Sequence, residues 1–376
     1  SAAIFGGGIK RAACLKRFSF AQNPFGMSGG VSGPPPPPPS GVLRGHTADV
    51  MVARFAPWRD SADLPALFSA SSDGELRLWS LRTHRTTLCA SVHPGKSILE
   101  VLPLSPERVF TQGRDGIVRI WNLTQGGAAC TREIAVGGSG FCACAVWSPG
   151  DATPSATPGA DATGRSVLAA ASVDMQTAVL YDLRQRDDPI DIMPAPPQHD
   201  RSGMCFCLRF LDETHLVSGW EDGSLQVFDL RRCDLPMAAR QLHKEPLLSV
   251  ELEPRRNAVL TGSADRKIFM VPLGIAPLAN AIDGDEATGG LRVGLSERRA
   301  LLGRAKQVVL PITNEVTSSG GTNDLASRPD AKVFAAAGWD KRVRVWAWKN
   351  LKPLALFKQH TLPVNSLTWS GCSHWL

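Results

Sequence analysis

The chain has 376 residues, 43% of them hydrophobic and 20% charged, with a formal net charge of +6. Lys10, Arg11, Lys16 and Arg17 supply four of those six positive units, and no acid precedes Asp49. The remainder is near neutral, which argues against a dedicated nucleic-acid surface, and no apolar run approaches the roughly 20 residues of a membrane span.

The nine cysteines show no CxxC metal spacing. Cys142/Cys144 and Cys205/Cys207 are C-x-C pairs in predicted strands, so each pair faces one way and is expected to pack as free thiols in a reducing compartment. No metal or cofactor is expected.

Residues 1–40 read as a leader outside the fold. SAAIFGGGIKRAACLKRFSF is basic, acid-free and rich in small residues, as transit peptides are, although Met27 as the true start is the plainer reading. Pro34 to Pro39 cannot donate backbone hydrogen bonds and prefer an extended spacer. Ordered structure is predicted over 41–376.

From there a hairpin recurs. LFSASSDGELRLWS, VFTQGRDGIVRIWNL, HLVSGWEDGSLQVFDL and VFAAAGWDKRVRVWAW each hold an apolar run, a polar turn and an alternating run. Period-two alternation marks strands with one buried face, and two such strands about a tight turn make a hairpin. The turn residues Asp73, Asp115, Asp222 and Asp340 each stand six before Trp79, Trp121, Phe228 or Trp346. Two weaker copies carry Asp174 seven before Tyr181, and Asp265 six before Val271.

Gly45-His46 stands 27 residues before Asp73, and later equivalents are His93 with Asp115, His199 with Asp222 and His243 with Asp265, each pair 22 or 23 residues apart. The pattern resembles the WD repeat, whose unit is one four-stranded blade of a β-propeller. A buried imidazole bonded to the turn carboxylate ties the link between blades to the hairpin and satisfies two groups costly to bury alone. With Ser71 or Ser263 nearby, a hydrolase triad suggests itself. Repetition argues against it, because catalysis needs one triad and an array needs one tie per blade. The chain is read as a non-enzymatic all-β propeller of seven-bladed plan, with six full blades and a truncated seventh.

With the hairpins as middle strands B and C, blade 1 covers about 46–90 and blade 2 about 93–136. Blade 3 opens on a strand at Phe141 to Trp147 and is interrupted by a Pro/Ala/Thr/Gly insertion at about 149–165. Blade 4 runs about 199–241. Blade 5 starts at His243, carries an insertion at about 274–304 with a short helix in LSERRALLGRAK, and ends on QVVLPI. Blade 6 is about 320–359. PVNSLTWS then starts a seventh blade, for which VLRG at 42–45 supplies the fourth strand; the two strands between are missing, and the chain is read as truncated.

Both insertions fall in A–B or C–D loops, on one face. On the opposite face the B–C turns carry Arg114, Trp220 and Trp339, residue types that anchor protein interfaces. These three are the partner-binding candidates.

RPDAKVFAAAGWDKRVRVWAWKNLKPLALFKQH, TQGRDGIVRIWNL, Gly140-Phe141-Cys142 and SGWEDGSLQVFDL together resemble the ASTRA-associated protein 1 family, also called guanine nucleotide-binding protein subunit beta-like protein 1. The resemblance runs from about Gly41 to Ser370. It implies a nuclear or cytoplasmic scaffold in the co-chaperone assembly that matures phosphatidylinositol-3-kinase-related kinases, with a chromatin-linked role in fungi. Protein partners are expected; a small-molecule substrate, a membrane and a specific nucleic acid are not. A second reading is a receptor of a cullin-type ubiquitin ligase. It rests on Arg184 and Arg231, each two residues after the Asp that follows a strand-end aromatic.

Overall fold

The alternating runs form strands throughout the structure, a computed structural model. It describes residues 3–6, 12–15, 41–59, 64–124, 127–137, 140–147, 166–183, 189–193, 203–231, 236–273, 306–309, 320–373 and 376. Seven antiparallel four-stranded sheets form the blades. Blade 1 holds β4 (Val50–Arg59), β5 (Pro65–Ser71), β6 (Glu75–Ser80) and β7 (Arg85–Ser91). Blade 2 holds β8 (Ile98–Ser105), β9 (Arg108–Gly113), β10 (Ile117–Thr124) and β11 (Gly127–Ala135). Blade 3 holds β12 (Ala145–Trp147), β13 (Val167–Ala171), β14 (Ala178–Asp182) and β15 (Pro189–Met193), and blade 4 β16 (Cys205–Phe210), β17 (His215–Trp220), β18 (Ser224–Asp229) and β19 (Ala238–Gln241). In blade 5 are β20 (Leu247–Glu253), β21 (Ala258–Ser263), β22 (Lys267–Pro272) and β23 (Lys306–Val309); in blade 6, β24 (Thr322–Ser327), β25 (Val333–Gly338), β26 (Val343–Ala347) and β27 (Pro353–Phe357).

The seventh sheet corrects the expected leader and the unfinished blade. Its order is β28 (Val364–Thr368), β1 (Ala3–Gly6), β2 (Ala12–Leu15) and β3 (Gly41–Arg44). The first strand pairs with β28 through Ile4↔Leu367, and the second with β3 through Ala13↔Leu43. The predicted outer pair, PVNSLTWS and VLRG, is in place, and the gap between them is filled from within residues 1–40. This hairpin was illegible because it lacks both the turn Asp and the strand-ending aromatic of the others. Two open strand edges, each a row of unpaired backbone groups, are its physical reason for docking there.

Two further expectations need adjusting. The inner strand of blade 3 begins at Ala145, with an isolated bridge at Ala143, instead of at Phe141. The helix expected in LSERRALLGRAK, both insertions and Pro34 to Pro39 lie outside the described residues.

Burial explains the sequence of each strand. The second strands of blades 1, 3, 4, 5 and 6 are buried along their whole length, because both faces press on neighbouring blades. They therefore read as unbroken apolar and small-residue runs such as VFAAAG, whereas rim strands such as β7 alternate and are largely exposed. Seven apolar clusters sit at the junctions between blades. Leu43, Val50, Phe55, Leu67 and Trp79 close the junction between the seventh blade and the first.

Polar links also run between inner strands. Asp324 accepts from the Leu367 N–H at 2.8 Å, Asn323 donates to the Val364 carbonyl at 2.9 Å, and Asn365 donates to the Val50 carbonyl at 2.9 Å. Gln112 both accepts from Cys144 N–H (2.7 Å) and donates to the Cys142 carbonyl (3.1 Å). Arg54 joins Glu100 of the next blade at 2.8 Å and Ser366 of the preceding one at 3.0 Å.

Deleting residues 1–15 re-exposes the edges of β28 and β3. The expected outcome is a melting temperature lower by several degrees and soluble aggregates in size-exclusion chromatography. A deletion variant that melts and elutes like the intact chain would show that the hairpin contributes nothing to closure.

Candidate functional site

The repeated His/Asp/Ser/Trp sets tie the links between blades to the hairpin turns on one face. Blade 2 has the full set. His93 Nδ1 lies 3.0 Å from Asp115, His93 Nε2 lies 2.9 Å from Thr111 Oγ1, and the Trp121 indole donates to the same hydroxyl at 2.9 Å. An imidazole donating from Nδ1 to the carboxylate accepts at Nε2 from the hydroxyl, which in turn accepts from the indole. Every polar atom of the chain is thereby satisfied. Burial pushes the His93 pKa down, and although burial alone would raise Asp115, the bonds from His93 and Arg119 hold it below the usual carboxylate range.

The other blades substitute pieces. In blade 1, His46 Nε2 lies 2.6 Å from Ser69 Oγ, which also accepts from Trp79 at 2.7 Å, but the imidazole Nδ1 faces Glu75 at 2.8 Å. Asp73 accepts instead from Thr47 Oγ1 at 2.7 Å. Burial pushes the His46 pKa down to about 4, so this imidazole is neutral at neutral pH. In blade 5, His243 spans Asp265 (3.1 Å) and Thr261 (2.8 Å), with Val271 where the indole would be. Blade 6 has no equivalent histidine contact; Arg344 holds Asp340 in a two-pronged ion pair of 3.0 and 2.5 Å, and Trp346 stacks on Phe334 with centroids 5.3 Å apart. His199 lies outside the described residues, and Asp222 accepts from its own turn at Ser224 N–H, 2.8 Å.

None of these sets is arranged for nucleophilic catalysis. The hydroxyl reached by His46 is Ser69, not Ser71, and Ser71 donates to Asp73. Ser263 donates to the Glu245 carbonyl at 3.0 Å. Ser69, Ser71 and Ser263 are all buried, with their hydroxyls spent on the fold.

The three partner-binding candidates separate. Trp220 is only 1% exposed and is corrected to a core residue. It ends β17, one position short of the turn, where its ring packs with Phe228, Met175 and Cys205 and its indole donates to Ser218 at 2.8 Å. Ser218 holds the place of Ser69 and Thr111, and Phe228 has no N–H to offer it, so Trp220 supplies one from the other side. Trp339 is half-buried: its backbone N–H donates to the Gly321 carbonyl at 2.9 Å and its indole donates to Asn323. Arg114 is half-buried with its guanidinium 4.3 Å above the Phe141 ring. Arg231 pairs with its own Asp229 at 2.9 Å, and Arg184 lies outside the described residues.

Sequence reasoning missed Phe141 and Val173. They are 62% and 76% exposed, the two most exposed large apolar side chains among the described residues. Val173 is in the B–C turn of blade 3, and Phe141 is in the link entering that blade. The signal was available for Val173, since it stands immediately before the turn Asp174, where Arg114 and Trp339 drew notice. Phe141 was hidden by assignment to a strand.

The inner strands gather a second charged group, Arg54, Glu100, Glu251 and Asp324. Burial pushes Glu251 up to about 7, against the Ser327 N–H it accepts (2.8 Å) and the nearby Arg209 and Arg54; Asp324 is raised for the same reason.

Among known proteins, the WD domain, G-beta repeat family model matches residues 38–80 and 313–347. The chain is 27% identical over 339 residues to "Guanine nucleotide-binding protein subunit beta-like protein 1" of Mus musculus, covering 88% of this chain and 89% of the mouse protein. It is 26% identical over 352 residues to "ASTRA-associated protein 1" of Verticillium alfalfae, covering 85% of this chain and 75% of the fungal one. Among solved structures, a chain of "Crystal Structure of Mitotic Checkpoint Complex" superposes with a TM-score of 0.63 at 14% identity, over 95% of this chain and 93% of that one, which speaks for the fold alone.

Two measurements test the energetics. Thr111→Val leaves a buried imidazole and a buried indole without their shared partner and is expected to cost about 2–3 kcal/mol in denaturant unfolding, against about 1 kcal/mol for Ser218→Ala. Equal costs would show that the shared hydroxyl has no special weight. Glu251 has a folded pKa raised above its unfolded value, so its stabilising contribution is present below about pH 4.5 and is lost as pH rises through about 7. Glu251→Gln should therefore gain in melting temperature relative to the parent chain between pH 5 and pH 8; a constant offset across that range would refute it.

Proposed function

We propose that this WD-repeat chain, similar over most of its length to ASTRA-associated protein 1, acts as a non-enzymatic adaptor. Its place is in the nuclear or cytoplasmic co-chaperone assembly supporting maturation of phosphatidylinositol-3-kinase-related kinases, with chromatin-linked processes downstream. The names of the relatives support association with a multiprotein complex. The observation that carries an interaction role is the exposure of Phe141 and Val173 together on the B–C turn face, beside Arg114. Exposed aromatic and arginine side chains over a rigid scaffold are the usual material of protein interfaces, and fold alone would support no particular partner. For the ubiquitin-ligase receptor reading, Arg231 is exposed at the surface and paired with its own Asp229.

The test is a tagged pull-down of the chain from cell extract, read by mass spectrometry, with Phe141→Ser/Trp339→Ala alongside. Co-chaperone scaffolds and kinases are expected with the parent chain and reduced with the folded double variant. Cullin-ligase adaptors in their place would transfer the assignment to the receptor class, and undiminished capture by the variant would remove the turn face from the interface.

A further inference from the structure

We propose that Cys142 and Cys205 form a reversible disulfide site, closed by a peroxide-class oxidant into a covalent staple between blades 3 and 4. The site is independent of the adaptor reading. The two thiols stand 63 residues apart in the chain, yet their sulfurs lie 3.9 Å apart and both are buried. Among the described residues they are the one pair of sulfurs in contact, and both are free. A disulfide needs the sulfurs to close to about 2 Å across Cα atoms about 4.4–6.8 Å apart. The two backbones are already neighbours here. Ala143, next to Cys142, forms an isolated parallel bridge with Cys207, a pairing that sets strands about 4.8 Å apart.

The spacing C-x-C alone would turn Cys205 and Cys207 to one side. A bulge in β16 separates them, because Cys205 pairs with Trp220 and Cys207 with the adjacent Gly219. Cys205 thereby joins Cys142, Met175 and Trp220 in the cluster between blades 3 and 4, while Cys207 packs with Val217 and Leu247 towards blade 5. Cys144 falls towards blade 2, with Phe110 and Leu168. The bulge recurs in blades 1, 2, 5 and 6, where Val50, Ile98, Leu247 and Thr322 hold the place of Cys205. Of these five blades, only blade 4 puts a thiol there.

Oxidant reaches the pair from the link. Phe141, beside Cys142, is 62% exposed, and the inner strand of blade 3 begins only at Ala145. The bond to Cys142, together with burial, raises the Cys205 thiol well above its ordinary pKa, so the first attack falls to Cys142. The Cys142 sulfur attacks one peroxide oxygen, the O–O bond breaks, and the departing hydroxyl takes the Cys142 proton and leaves as water. The Cys205 sulfur then displaces the remaining hydroxyl from Cys142, and that hydroxyl takes the Cys205 proton and leaves as a second water. Two electrons pass from the thiols to the peroxide, and a small-molecule dithiol returns them. The closed ring from 142 to 205 contains all four strands of blade 3, so the staple fastens the entry of that blade to the blade that follows.

The experiment treats the full, natively folded chain with hydrogen peroxide, blocks remaining thiols with N-ethylmaleimide in denaturant, and maps the digest by mass spectrometry. The expected outcome is a peptide pair joined through Cys142 and Cys205, about 2 Da lighter than its reduced parts together and lost on treatment with dithiothreitol. Cys207→Ala should keep the joined pair. Cys142→Ala should lose it and leave Cys205 alkylated. If a variant fails to fold, the map of the parent chain decides. Three results would each overturn the proposal: both thiols alkylated at peroxide levels that already oxidise the exposed Cys89 and Cys130, bonds between other cysteines in their place, or joining only after the chain has been unfolded.

Discussion

A propeller's inner strands meet no further strand at the axis, so their inward backbone groups must be satisfied by something else. In this chain the side chains of one blade do it for the next. Asn323 and Asp324 of blade 6 serve Val364 and Leu367 of blade 7; Asn365, Ser366 and Thr368 serve Val50, Ala53 and Phe55 of blade 1. Gln112 of blade 2 serves Cys142 and Cys144, and Glu251 of blade 5 serves Ser327. The direction is the same each time, from one blade to its successor. This gives the ring a polar register on top of apolar packing that is nearly interchangeable between blades. It also explains why the junction across the chain ends holds: Arg54 and Asn365 bridge blades 7 and 1 independently of the N-terminal hairpin.

The tie between link and turn belongs to the same economy. A turn carboxylate needs a charged or imidazole partner, and the blades use whichever is at hand. His93 and His243 use an imidazole, whereas Arg344 replaces it outright in blade 6. At Ser218 the hydroxyl position is kept but the indole is absent, and Trp220, two residues on, takes over the donation; at Thr261 of blade 5, with Val271 in the aromatic position, no tryptophan follows. Different residues thus supply the partner of the turn carboxylate from blade to blade. Such a constraint also accounts for the resemblance to a hydrolase triad without the chemistry, since both demand a carboxylate, an imidazole and a hydroxyl in line. Here, in blades 1 and 2, the line ends on a buried indole that donates to the hydroxyl.

What was legible in the sequence follows from this. Period and spacing located six hairpins because Asp, the turn and the terminal aromatic are set by local geometry. The fourth strands at 306–309 and 41–44 were found by position in the count. The hairpin at 3–15 was not, because it carries no tie and its role is defined by two edges, one of them more than three hundred residues away in the chain. Trp220 was misjudged for a similar reason: it differs from Trp339 by one residue relative to the turn Asp, and in a strand one residue reverses the face. Its burial reflects the loss of an indole at Phe228, a compensation between two positions that no single-position reading reveals. Phe141 is exposed because its strand begins late, a boundary that propensity does not define.

Specificity can then be located by elimination. With the turn Asp held by its tie, the residue before it is presented at an equivalent point in each blade: Ser72, Arg114, Val173, Glu221, Ala264 and Trp339. These six side chains differ from blade to blade in size, charge and partner. Ser72 and Ala264 are too small to anchor anything, Glu221 is folded onto the Met204 N–H, and Trp339 onto Asn323. Only between blades 2 and 3 does a turn cation, Arg114, lie over an aromatic ring supplied by the following link, Phe141, with an exposed aliphatic group, Val173, at the next turn. The fold repeats, but that coincidence occurs once among the described residues, and a surface feature that breaks the repeat is where a repeat protein has room for a function of its own.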